Sequence, residues 1–437
     1  MAAAIVSAEE LHEAWRLLSP EERVESFGFL SAEEAQDFFL DLRAADQLLI
    51  VRQSPPAIRR SWLRLLAPDD AADLLQEARP EERTELMALL DPATRREVNA
   101  LLAYEEDDAG GLMSPRYARL RPDMTVDEAI GYLRMQARQS VETINYAYVL
   151  DSQQHLLGVM SLRELFTAPG DRGVADVMHT DLVTAAEDTD QEVIGQLFSR
   201  YDLIAVPVLD REGRMKGIVT VDDIVDVVEQ EATEDIQKMG GSEALDAPYL
   251  QVGMLSMVRK RAGWLSALFL GELLTATAMG YYEKEIARAA VLAIFIPLII
   301  SSGGNSGSQA TTLIIRALAL SEVRLRDWWR VFRREFAAGL GLGAILGALG
   351  FTRIAIWQKA FGTYGGHGFL IAFTVAMSLV GVVLWGTLIG SSLPFLLRRL
   401  GFDPASASAP FVATLVDVTG LIIYFSVASL ILRGTVL

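Results

Sequence analysis

The chain has 437 residues, no cysteine, and a formal net charge of −18. That length suits two or three domains, and the missing cysteines exclude disulfides and thiolate metal sites while leaving oxygen-ligand sites for hard cations open. The charge is split: residues 1–258 hold 23 Lys+Arg and 49 Asp+Glu, residues 259–437 hold 16 and 8, so an acidic soluble half precedes an apolar, basic membrane half, and the acidity argues against nucleic acid, which rewards Lys/Arg patches.

Residues 1–15 lack the basic flank and apolar core of a signal peptide, so the soluble half is expected in the cytoplasm. Residues 5–104 read as all-helical. A short phrase recurs at twelve-residue spacing: Ser19-Pro20-Glu21-Glu22-Arg23 and Ser31-Ala32-Glu33-Glu34-Ala35, then Ala67-Pro68-Asp69-Asp70-Ala71, Arg79-Pro80-Glu81-Glu82-Arg83 and Asp91-Pro92-Ala93-Thr94-Arg95. Proline suits the first helical position, and acids suit the positive end of the helix dipole. The spacing predicts short helices stacked in a superhelical array over residues 1–108.

Residues 112–235 change character. Strands are predicted at 146–150, 204–209 and 216–219, with helices at 126–139 and 191–201 between them. The pattern occurs twice, about sixty residues apart. Leu112-Met113-Ser114-Pro115 matches Val177-Met178-His179-Thr180, and the run from Gly158 to Leu165 matches the run from Gly217 to Ile224. The two copies are assigned to 109–172 and 173–236. They resemble a tandem pair of CBS domains. In that family the closing Asp meets the ribose of an adenosine nucleotide, which implies Thr220 and Asp223 as a nucleotide site. The first copy carries Ser161 and Glu164 instead.

An acidic run follows, then Gly240-Gly241, an apolar run at 252–258 and the triplet Arg259-Lys260-Arg261. Residues 227–260 read as one helix or two, with a linker helix assigned to 237–260. The membrane half, 261–437, has five apolar stretches, at about 262–282, 286–315, 335–357, 368–397 and 408–432. Each is long enough to cross roughly 30 Å of hydrocarbon. With the N-terminal half inside, the inner flanks carry eleven Lys/Arg and the outer flanks five (Lys284, Arg288, Arg353, Lys359, Arg433). The positive-inside rule then places the C-terminus outside. The glycines at 339, 341, 343, 347 and 350 read as close helix packing.

Two membrane motifs carry chemistry. Ser301-Ser302-Gly303-Gly304-Asn305-Ser306-Gly307-Ser308-Gln309 is polar at membrane depth, viable only when buried or lining a wet cavity. Asn305 and Gln309 are four apart and share a helical face. Asp417 lies about ten residues inside the last stretch, and Glu272 lies in the middle of the first. An intramembrane carboxylate is a functional site by default. Glu272 reads either as a second pathway residue or as an acid protonated against a neighbour. The four histidines, His12, His155, His179 and His367, are scattered, and no catalytic constellation emerges, so no enzyme is expected.

Acidic helical domain, CBS pair, linker (plug) helix and five-helix membrane domain together resemble the MgtE magnesium channels over nearly the whole chain. The two membrane motifs look like that family's signatures. The resemblance implies a homodimer in the inner cell membrane, with the pore on its two-fold axis and hydrated Mg²⁺ bound by Asp417, with Asn305 and Ala413 beside it. Several regulatory Mg²⁺ ions are implied in the cytosolic part, closing the pore when internal Mg²⁺ is high. The matching positions are Asp190, Glu192 and Asp202 in the second CBS copy, and Asp223 and Asp226 near its end. Glu231, Glu234 and Asp235 follow on the linker, Asp403 lies before the last helix, and Asp69 and Asp73 belong to the N-domain. ATP is implied as a regulator, not a fuel. Two other readings stay open: a coupled transporter for another divalent ion such as Co²⁺ or Mn²⁺, and a membrane-tethered CBS sensor.

Overall fold

The computed structural model describes residues 7–138, 141–245, 249–250, 252–288 and 290–435. The first six residues of the N-terminal stretch, the helix end predicted at Gln139 and the side chain of Arg288 lie outside the described residues. The chain divides into two compact units, Met1–Gln230 and Glu231–Leu437.

The first unit opens with eight short helices: α1 (Ala8–Ala14), α2 (Pro20–Phe27), α3 (Ala32–Leu40), α4 (Ala44–Gln53), α5 (Pro56–Leu63), α6 (Pro68–Gln76), α7 (Pro80–Leu89) and α8 (Pro92–Leu101). The recurring phrase is their start signal. Ser19 and Ser31 form capping boxes with Glu22 and Glu34, and proline opens α2, α5, α6, α7 and α8. Each helix buries one apolar stripe. Trp15, Phe38, Phe39, Leu63, Leu74 and Val98 belong to a core that continues into Ile194, Phe198, Val206 and Val219 of the second α/β copy.

The two copies follow. The first comprises α9 (Ala109–Leu112), β1 (Arg119–Leu120), α10 (Val126–Gln136), β2 (Tyr146–Leu150), β3 (Leu156–Ser161) and α11 (Leu162–Thr167). The second comprises α12 (Val174–Val177), β4 (Ala185–Ala186), α13 (Gln191–Tyr201), β5 (Ala205–Leu209), β6 (Met215–Thr220) and α14 (Val221–Met239). Each sheet has one parallel and one antiparallel pairing, in order β1-β2-β3 and β4-β5-β6. The registers repeat, Tyr146↔Ser161 matching Ala205↔Thr220, and both carry a bulge at the corresponding step.

The copies exchange their leading segments. Ser114 bridges to Ile218 of the second sheet, and His179 bridges to Val159 of the first. This is why glycine recurs at 158 and 217. A Cβ at Gly158 would sit 2.8 Å from the His179 carbonyl oxygen, and one at Gly217 2.6 Å from that of Ser114.

The linker helix assigned to 237–260 is displaced. The helix is α14, continuous from Val221 to Met239 out of the last strand, so its start lies inside the assigned second copy. It stops at Gly240-Gly241, where Gly241 takes φ +75°, and the next helix among the described residues begins at Met254. A left-handed glycine is the usual end of a helix.

Five helices in the second unit are long and apolar enough to span a membrane. They are α15 (Met254–Tyr281), α18 (Ile296–Ala319), preceded by the short α16 (Glu283–Arg288) and α17 (Ala290–Ala293), then α19 (Trp328–Phe361), α20 (Gly368–Arg399) and α21 (Ala409–Leu432). α18, α20 and α21 pack mutually, α19 lies on α20, and α15 lies on α21. Glycines set the α18–α20 approach. A Cβ on Gly386 would meet the Gly303 carbonyl oxygen at 2.3 Å, and one on Gly390 that of Gly307 at 2.2 Å.

Candidate cation pathway and regulatory sites

The polar segment of α18 divides by helical face. Gly303, Gly304, Ser306 and Gly307 are buried against α20 and α21. The Ser306 and Thr387 hydroxyls pair at 2.6 Å, and Thr311 donates to the Gly390 carbonyl at 2.9 Å. Ser301, Asn305 and Gln309, spaced by four, are exposed on another face. Asn305 donates to the Ser301 hydroxyl at 3.4 Å.

Asp417 flanks this segment. A Cβ at Gly304 would lie 3.8 Å from an Asp417 carboxyl oxygen and 3.3 Å from the Ala413 side chain. Ala413 and Asp417 are one turn apart on α21, so both face α18. Glu272 of α15 lies near the Asp417 carboxyl. Neither acid forms an ion pair with Lys or Arg among the described residues. One turn of α18, one of α21 and the middle of α15 thus bring an amide, two carboxyls and an exposed polar stripe together at membrane depth.

In the first unit, Asp69 and Asp73 on α6 come beside Asp223 at the start of α14, as neighbours of one acidic cluster. Asp70, Glu142 and Asp222 join them. Burial and mutual repulsion push the Asp69, Asp70, Asp73, Glu142 and Asp223 carboxyls up, Asp70 to about 6, Asp223 to about 7 and Asp73 to about 8. Asp69 is only 7% exposed, and its Oδ1 finds no hydrogen-bond donor among the described residues. Asp70, Glu142 and Asp222 were missed in the sequence. The paired Asp69-Asp70 was the available signal for the first, and nothing local marks Glu142.

Other expected ligands are engaged elsewhere. Asp190 caps α13, accepting from the Glu192 amide at 2.8 Å. Asp202 ends that helix in the left-handed region at φ +51°. Asp226, Glu231 and Asp235 are spread along α14. Lys238 bridges Glu234 and Asp403, the latter at 2.8 Å. Among the described residues no three His, Cys, Asp or Glu side chains converge as a metal-binding group. The two copies also differ at the expected nucleotide position. Thr220 donates to Asp223 at 2.7 Å, whereas Ser161 and Glu164 close a capping box on α11 and Glu164 also pairs with His179.

Three family models cover this architecture: a divalent cation transporter domain at residues 296–427, the MgtE intracellular N domain at 6–107, and CBS domains at 109–171 and 174–230. The magnesium transporter MgtE of Thermus thermophilus is 46% identical over 369 residues, 84% of this chain and 80% of that protein. The chain belongs to the MgtE family of magnesium transporters. The MgtE of Bacillus subtilis is 32% identical over 90% of this chain and 85% of its own. A crystal structure of the cytosolic domain of the Mg²⁺ channel MgtE in complex with ATP is 41% identical, covering 52% of this chain and 92% of that one, with a TM-score of 0.47. MgtE proteins are transporters, not enzymes. The likeness to inosine-5'-monophosphate dehydrogenase of Aquifex aeolicus spans only 30% of this chain, through the CBS region.

Proposed function

We propose that this MgtE protein is a Mg²⁺ channel for uptake across the cell membrane, working as a homodimer with a cytoplasmic N-terminus and an outward C-terminus. The observation that carries this reading is the exposed polar stripe Ser301, Asn305 and Gln309 beside Asp417. Lipid does not solvate such a stripe, so it faces water. A second copy across a two-fold axis supplies the other wall. Two Asp417 carboxylates on that axis select cations by field and leave room for a hydrated Mg²⁺, which gives up water reluctantly. Asn305 and the Ala413 carbonyl are the neutral donors beside it, and Glu272 orients or shares the Asp417 charge.

Regulation rests on the acidic cluster. The Asp69 Oδ1, which has no hydrogen-bond donor among the described residues and lies near Asp70, Glu142 and Asp223, suits a divalent cation that replaces protons. Further ions at Asp190, Glu192, Asp202, Asp226, Glu231, Glu234, Asp235 and Asp403 belong to the same reading, as does an adenine nucleotide at Thr220 and Asp223. Mg²⁺ binding then relieves repulsion in the acidic half and favours the closed pore.

The test is Mg²⁺ flux into vesicles holding the purified protein. Asp417→Asn is expected to abolish flux while the dimer elutes unchanged. Flux at the native level would refute the pathway. Current without a counter-ion gradient separates a channel from a coupled transporter.

A further inference from the structure

Arginines of the membrane half gather at the start of α19. Over residues 316–335 six arginines accompany three acids, Glu322, Asp327 and Glu335. Arg324, Arg326, Arg330, Arg333 and Arg334 are exposed, and none forms a salt bridge among the described residues. Asp327 is taken by the backbone N–H of Arg324, at 3.1 Å. Arg330 and Arg334 are one turn apart on α19, and Arg326 precedes them by the same spacing.

An aromatic platform lies among them. Trp329 and Phe332 stack with centroids 5.3 Å apart, Trp328 lies 5.4 Å from Phe332, and the Arg333 guanidinium sits 6.0 Å from the Trp329 ring. Trp328 and Trp329 are 41% and 53% exposed. α19 packs on α20 through Gly339, Gly343 and Gly347 and through Val331, which is buried with Phe395, and among the described residues the two tryptophans are left partly uncovered. The collar lies where the apolar part of α19 begins.

We propose that this collar is a docking site for the headgroups of anionic phospholipids. Exposed guanidinium groups without a salt bridge among the described residues match phosphate in charge and in planar geometry. Tryptophan rings settle at headgroup depth, apolar body inward and N–H outward. A zwitterionic headgroup brings its own cation and gains less from the arginines, so the collar discriminates by net charge.

The test uses the full chain in phosphatidylcholine vesicles containing either brominated phosphatidylglycerol or brominated phosphatidylcholine. Bromine quenches nearby tryptophan, and Trp328→Phe/Trp329→Phe isolates the collar signal from that of the other tryptophans. The collar signal should be quenched preferentially by the anionic lipid. Arg326→Gln/Arg330→Gln/Arg334→Gln should lower that preference by about five-fold per charge removed. Arg353→Gln, over Trp357 towards the other end of α19, should leave it intact. Equal quenching by the two lipids, or a preference unchanged in the triple variant, overturns the proposal. Should the triple variant fail to fold, native protein in about 1 M salt decides, because screening then acts within roughly 3 Å: the preference must collapse, and its persistence refutes the collar.

Discussion

Lys238 holds a position that the family resemblance gives to a divalent ion. Its ammonium bridges Glu234, one turn back on α14, and Asp403, ahead of α21. Those two carboxylates keep the amine protonated well above its ordinary range, although its own burial opposes this. A raised lysine pKa means the bridge is fully charged at neutral pH and is lost only as pH rises through that raised value. Lys238→Gln is expected to leave two acids facing each other. Melting temperature in chelator should fall by a few degrees, and millimolar Mg²⁺ should close most of the gap. An unchanged melting temperature would mean the bridge contributes nothing. Glu272→Gln is a second test at this scale. It should leave the elution profile unchanged while changing Mg²⁺ flux at least several-fold, since it replaces the carboxyl that lies near Asp417.

Single residues were legible where their cost is local. Asp417 stands out because a carboxylate in an apolar helix costs about 2.5–3.5 kcal/mol by insertion scales. Its neighbour Glu272 was visible for the same reason, but their contact was not, because it depends on α15 lying along α21. Glu142 and Asp70 look like any other acid in a half that holds 49 of them. Tertiary burial alone singles them out.

Among the elements, the glycine faces define how the membrane helices meet. The glycines of α19 were read from sequence as packing, and Gly339, Gly343 and Gly347 do pack on α20, whereas Gly341 has open space beside it. The α18–α20 contact is tighter. Gly386→Ala would place a methyl 2.3 Å from the Gly303 carbonyl oxygen, a backbone atom that cannot rotate away. Overpacking of this kind costs about 1–3 kcal/mol or more. The expected outcome is a lower yield of folded protein and reduced flux, with Gly341→Ala as the silent control. Helix α14 was the element misplaced by sequence. Its acids and valines continue the helical pattern directly out of β6, so no local signal separated the end of the second copy from the linker. Gly240-Gly241, where α14 stops, stood out in the sequence, but the helix assigned to 237–260 ran through them.

For the whole molecule, the buried acids of the first unit make stability depend on protons. Asp70, Asp73 and Asp223 have folded pKa values of about 6, 8 and 7, above the ordinary 3.8. The folded state therefore binds more protons than the unfolded one between these limits, and stability falls as pH rises from about 4 to 8. In chelator, hydrogen-exchange protection of α6 amides, corrected for intrinsic rates, should drop between pH 5 and 8. Mg²⁺ should restore it, most strongly at pH 8. Protection independent of both would sever the cluster from any cation.

The exchange of leading segments between the two α/β copies also has a consequence in time. The bridge from Ser114 waits for Ile218, on the order of 100 residues later. At the usual pace of synthesis that is a delay of roughly 5–20 s. Throughout it the leading segment of the first copy lacks the strand it needs, whereas Val159 of that copy gains its partner as soon as His179 is made. The nascent chain thus carries an unpaired leading segment until nearly the whole first unit exists, and the second sheet takes it up late, just before the first membrane helix is made.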